Sequence, residues 1–252
     1  MADHTDDLTR AREAHAARDW ATSAAAFDAV PTGQLTAEDL AAHADAMSWL
    51  GRMPDTLRLT AAACEAFEAA ARHAEAAWAA MLLGLFHMGR GDLPQGMGWF
   101  GRTGRLLEGR PDCPARGLLL LVTGVEASLQ AGKPAAAVEA ALEVQALGRR
   151  IDNPGLVLMG LNGEGRALIR AGQTADGLAL LDEAMVTAMD TELPPFMTGS
   201  LYCHTIAACH EVADFHRVSR WTDLTEDWLS TLPAVSVFGG LCAVHRAQAT
   251  ED

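Results

Sequence analysis

The chain has 252 residues, half of them hydrophobic and 6% aromatic, with 19 basic and 33 acidic side chains and a net charge of −14. The apolar content excludes a disordered chain. The acidity, with Lys133 the only lysine and no basic run longer than Arg149-Arg150, excludes a general nucleic-acid binder, whose phosphate contacts need clustered cations.

The amino terminus, Met1-Ala2-Asp3-His4-Thr5-Asp6-Asp7, has neither the positive start nor the apolar stretch of a signal peptide. The first helix break comes at Ala17-Arg18-Asp19-Trp20. Glycine-centred breaks follow at Gly51, Gly91, Gly132 and Gly172, spaced 40, 41 and 40 residues apart, and Val212-Ala213-Asp214 stands another 41 residues on. A second ruler runs out of phase with the first: Pro114, Pro154, Pro194 and Pro233 are spaced 40, 40 and 39, and Pro31 takes the same role early in the chain. Glycine suits the left-handed residue that ends a helix, whereas proline cannot continue one and favours its first turn. Between these breaks, apolar residues such as Leu178, Leu181, Ala184, Met185 and Ala188 follow three-and-four spacing, and no segment alternates for long with period two. The sequence therefore predicts an all-α chain, a single repeat domain over 1–252. It has six helical hairpins turning near Arg18, Gly51, Gly91, Gly132, Gly172 and Ala213, and a final helix from about Phe238 to Gln248 that caps the stack.

These units resemble tetratricopeptide repeats. Ala17-Arg18-Asp19-Trp20 with Phe27 fits one unit well. Small residues Ala44, Gly84 and Gly165 stand seven before their turn glycine, where Val125 departs. In the second helix Ala137 and Gly177 take the small position and Phe100 and Leu181 the large one, while Thr56 and Val218 depart. The resemblance covers about Asp7 to Gln248 and implies a right-handed solenoid whose first helices line a concave groove. Leu-Leu-Asp-Glu-Ala-Met, then Tyr202-Cys203, then Cys-Ala-Val-His-Arg, is similar to the repeat segments of actinobacterial LuxR-type transcription regulators. That likeness implies a role in sensing effectors or binding proteins. No DNA-binding helix-turn-helix is evident.

Counting back from each turn places the lining side chains that this resemblance implies. Among them are Trp49, Trp78, Met81, Leu85 and Met88 in the early repeats, and Glu126, Asn162, Arg166, Cys203 and His210 in the later ones. The groove reads as apolar in its middle, with Glu126, Asn162, Arg166 and His210 converging on one ligand. That composition suits a small molecule or a peptide, and methionine suits an adaptable surface. The competing reading makes Trp78, Met81 and Leu85 core. Glu126 and Arg166 read as an anion clamp, an acid–base pair or a salt bridge.

The densest chemistry lies late in the chain, where Cys203, His204, Cys209, His210, His216, Cys242 and His245 gather three of five cysteines and four of nine histidines. Cys203 with His210 and Cys242 with His245 each share a helical face, so a four-ligand zinc site is conceivable, although no spacing matches a zinc motif. His210-Glu211 is not a metalloprotease motif, because position 214 is Asp rather than His. Gly160 to Gly165 imitates a phosphate loop but falls inside a predicted helix with no strand before it.

The reading is a non-enzymatic binding or sensor module, without cofactor, that offers its groove to a peptide, a protein partner or a small effector, with a link to transcription regulation as a further expectation. The alternative is a small-molecule or metal-binding enzyme or sensor around Arg166, Cys203 and His210. Neither direct nucleic-acid nor membrane binding is expected. The odd cysteine number without any CxxC pair suits the cytoplasm.

Overall fold

A computed structural model describes residues 4–231, which divide between two compact units, 1–111 and 112–252. The first unit holds α1 (Thr5–Ala16), α2 (Trp20–Asp28), α3 (Ala37–Trp49), α4 (Met53–Ala69), α5 (His73–Gly89) and α6 (Leu93–Leu107), with a 3₁₀ turn over Thr32–Gln34. The second begins with α7 (Pro114–Leu120), which widens into a π-helical stretch over Leu121–Glu126 and continues as α8 (Ala127–Gln130). After it come α9 (Pro134–Arg150), α10 (Pro154–Arg170), α11 (Thr174–Met189), α12 (Pro195–Glu211) and α13 (Phe215–Ser230). Within each unit the helices pack on their neighbours in sequence, and first helices also touch first helices, α1 with α3 and α10 with α12. This is the nearest-neighbour logic of a stacked repeat.

The six hairpin turns have one backbone solution. Arg18, Gly51, Gly91, Gly132, Gly172 and Ala213 all take positive φ, between 55° and 86°. At the second turn the Gly51 amide donates to the Ser48 carbonyl and the Arg52 amide to Met47, the paired closure that consumes the last carbonyls of a helix. The links between hairpins reuse the left-handed residue at Ala71, Gly109 and Asp152, where the sequence marks only one glycine. Helix starts are equally local. Pro114, Pro134, Pro154 and Pro195 are first residues of helices, where a missing N–H costs nothing. Asp19, Asp92, Asn153 and Asp214 accept from backbone amides of the first turn. Thr36 and Asp39 form a reciprocal capping box.

Small residues set the distance between helices. A Cβ added at Gly84 would stand 2.3 Å from the Phe100 ring, and one at Gly165 would meet the Leu181 side chain at 3.1 Å and the Gly177 carbonyl at 2.8 Å. These are the small and large positions of the repeat in contact. Val125, large for its position, is fully buried within the π-helical stretch. The predicted capping helix, 238–248, lies outside the described residues. Among the described residues no helix is long and apolar enough to cross a membrane.

Candidate functional site

The ten groove candidates fall five to each unit. In the first unit, Met81 is 0% exposed and belongs to the core. It stands on the face of α5 that also buries Ala77 and Gly84, and is a correction to its place in the lining. Met88 is half-buried and packs over Gly96 of α6, where an added Cβ would meet its Cγ at 2.7 Å, so it seals its own hairpin. Trp49 is 9% exposed and stacks on Trp20 with ring centres 5.7 Å apart. His15 meets the edge of Trp20 at 5.4 Å, and its Nε2 lies 3.0 Å from Asp45 Oδ2. Trp78 and Leu85 are half-buried. The first-helix side chains of this unit are therefore mixed: the His15–Asp45 contact stands beside the tryptophan pair, and Arg12 of α1 forks onto the buried Asp39 of α3 at 2.8 Å through both Nε and Nη2.

The second unit carries two further ion pairs between first helices. Arg166 donates from Nη1 and Nη2 to the two oxygens of Glu126 at 2.5 and 2.9 Å, a two-pronged bond between residues six before the turn in successive repeats. The two side chains are only 18% and 23% exposed. Burial alone would raise the Glu126 carboxyl. The Arg166 bond and charge outweigh it, helped by His204 and Arg170, and the carboxyl sits below its usual range. One turn further along α10, Arg170 forks onto Glu211 of α12 at 2.7 and 2.5 Å, in the open, with 48% and 43% exposure.

His204 completes the cluster. Burial first, and the Arg166 charge second, push its pKa down to about 4 against the pull of Glu126, so the ring is neutral at pH 7 and offers one donor and one acceptor. The sequence marks His204 only as a member of the Cys/His group. Its tie to Glu126 and Arg166 is tertiary. The legible signal for the ion pairs was spacing, since opposite charges one repeat apart, 126 with 166 and 170 with 211, face each other on stacked first helices.

Two candidates, Asn162 and His210, differ from the expected convergence. Asn162 is buried and spends its Nδ2 on Thr205 Oγ1 at 2.8 Å, so it ties α10 to α12 and is withdrawn from ligand contact. His210 is half-buried and meets Phe215 edge-on at 5.8 Å, which turns it toward the following helix. Cys203 is half-buried on α12. Burial lifts the Cys209 thiol to about 12, which keeps it protonated and unsuited to metal or nucleophilic work. Among the described residues no three His, Cys, Asp or Glu side chains gather as metal ligands, and Cys242 and His245 lie outside that range. Gly160 to Gly165 are helical and pack closely on neighbouring helices, with Gly160 against the Ala141 carbonyl, so they form no phosphate loop.

No protein-family profile matches the chain. No curated protein matches it either. Solved structures do. The apo form of the quorum sensor NprR from B. thuringiensis superposes with a TM-score of 0.56 at 13% identity, over 88% of this chain and 74% of that one. BtubC (BKLC) from P. vanneervenii gives 0.51 at 12% identity, over 90% and 91%. A putative kinesin light chain from Podosopora anserina, built of nearly identical TPR-like repeats, gives 0.47 at 12%, over 85% and 96%. The fold is an all-α helical-repeat solenoid.

Proposed function

We propose that the chain is a non-enzymatic binding or sensor module, and that the first-helix face of the second unit takes a peptide segment or a small effector. The observation that carries this reading is the half-buried Arg166–Glu126 pair beside the neutral His204. An ion pair drawn out of water adds little net stability, because desolvation cancels most of the attraction, and a repeat stack is already held by its apolar interfaces. Such a pair is better understood as a recognition element: the N–H groups that Arg166 does not give to Glu126 suit a carboxylate or a peptide carbonyl, the imidazole a further polar group, and neighbouring Cys203 an apolar contact. The fold-level likeness to a quorum sensor is in keeping with a sensing role, and the resemblance to LuxR-type regulators extends the proposal to transcription control.

Native mass spectrometry of the freshly purified full chain, beside Arg166→Ala, tests this. The expected result is extra mass on the wild type that leaves on denaturation and is largely lost from Arg166→Ala. A wild-type chain that carries no extra mass, and gains none from peptide and metabolite extracts, overturns the proposal.

A further inference from the structure

A different surface of the first unit carries chemistry that the groove reading does not use. Where the end of α4, the start of α5 and the end of α6 meet, a cleft of about 520 Å³ opens. Leu106 is the only apolar side chain on its wall. Three arginines line it, Arg102, Arg105 and Arg110, in a chain whose overall charge is −14. Its size lies within the range of small-molecule sites, and its lining is far more polar than theirs usually is.

The cations are held in place by different means. Arg102 lies over the Trp99 ring at 5.2 Å and donates from Nη2 to Glu68 Oε2 at 2.6 Å, which uses one of its five N–H groups and fixes its plane. Arg105 is exposed and makes no ion pair with any described residue, and its guanidinium lies back along α6 toward Gly101. His73, also on the wall, is the first residue of the 17-residue α5, whose start has no side-chain cap, so the positive end of that helix adds to the same field. At the end of α6 two carbonyls, those of Arg105 and Leu107, are taken by the amides of Glu108 and Arg110. Two carboxylates share the wall: Glu68 is engaged by Arg102, and the exposed Glu108 is the second, opposing the remaining arginines.

We propose that this cleft binds a small phosphate monoester. Arg102 and Arg105 take the phosphate oxygens, as guanidinium forks do. Glu108 accepts from a hydroxyl or amino group on the rest of the molecule, and so favours an ester over the bare ion.

The test is calorimetric titration of the full chain at low salt, with inorganic phosphate and glycerol phosphate as probes. Wild type binds both saturably, glycerol phosphate the tighter, and both weaken as salt rises. Arg105→Gln, an exposed change that leaves the fold alone, loses about tenfold for both, the scale of one charged contact. Glu108→Gln binds inorganic phosphate more tightly and loses its preference for the ester. Unsaturable binding, an Arg105→Gln curve superimposable on wild type, or a preference that survives Glu108→Gln each overturns the assignment. None of these outcomes touches Arg166, so the groove proposal stands or falls separately.

Discussion

The first-helix faces of the two units use one backbone plan for different chemistry. Two before the turn stands Trp49 in the first unit, stacked on Trp20, but Arg170 in the second, forked onto Glu211. Six before the turn the first unit carries Arg12, Asp45 and Leu85 and the second Glu126, Arg166 and Ala207, so charge is shared at this position and its partner differs: Arg12 forks onto Asp39, and Arg166 onto Glu126 of the preceding repeat. The helices, turns and small-residue contacts are alike in both, so the stack does not dictate what these positions carry. Surface chemistry is written on the scaffold and is separable from it.

That separation can be broken most strongly from inside. Met81→Ala removes a fully buried side chain from the first unit and should cost about 2–4 kcal/mol in chemical unfolding, whereas a true groove residue would cost little. Arg166→Ala comes next. It strands a half-buried carboxylate, and about 1–2 kcal/mol is expected after allowance for solvent, most of it restored in the Arg166→Ala, Glu126→Gln double variant. The acid limb of stability sharpens the comparison further. His204 has an ordinary value of 6.5 and a folded value of about 4. The unfolded chain therefore takes up the proton first, and stability present above pH 6.5 declines as pH falls toward 4. Glu126, also depressed on folding, loses its share only lower still, below its ordinary value of 4.5. Replacing His204 by Gln should flatten the melting temperature between pH 6.5 and 4. An unchanged slope would assign it to the buried His43, which burial likewise depresses against the pull of Asp28 and Asp55. The smallest effect is expected from Arg170→Ala, below about 0.5 kcal/mol, because its pair with Glu211 is open to water and salt.

Much of this architecture was legible because it is local. The left-handed residue at each hairpin turn needs glycine or tolerates a substitute at modest cost, and proline is confined to helix starts, so both leave marks at a fixed period. The left-handed links at Ala71 and Asp152 left no such mark, since neither residue signals that conformation in sequence. The π-helical widening at Leu121–Glu126 was silent for the same reason. At the candidate site, the partnership of Glu126 with Arg166 followed from register alone. Register left Met81 open between lining and core and did not give the engagement of Asn162 by Thr205, because helix rotation by a few tens of degrees decides whether a lining position faces out or in. His204 was visible as a histidine, but its neutrality comes from neighbours on two other helices.

Helix α10 approaches its neighbours through bare backbone: Gly160 abuts the Ala141 carbonyl of α9, and Gly165 and Gly177 abut each other's carbonyls between α10 and α11. Contacts of that kind have no side chain to adjust, so α10 has little freedom to roll or slide. In evolutionary terms it behaves as a fixed rail. Almost any enlargement at these glycines is barred, while the residues riding on the outer edge of the rail, Arg166 and Arg170 among them, are at liberty to change. Descendants of this sequence would thus be expected to diversify what they recognise by exchanging riders, and to keep the track.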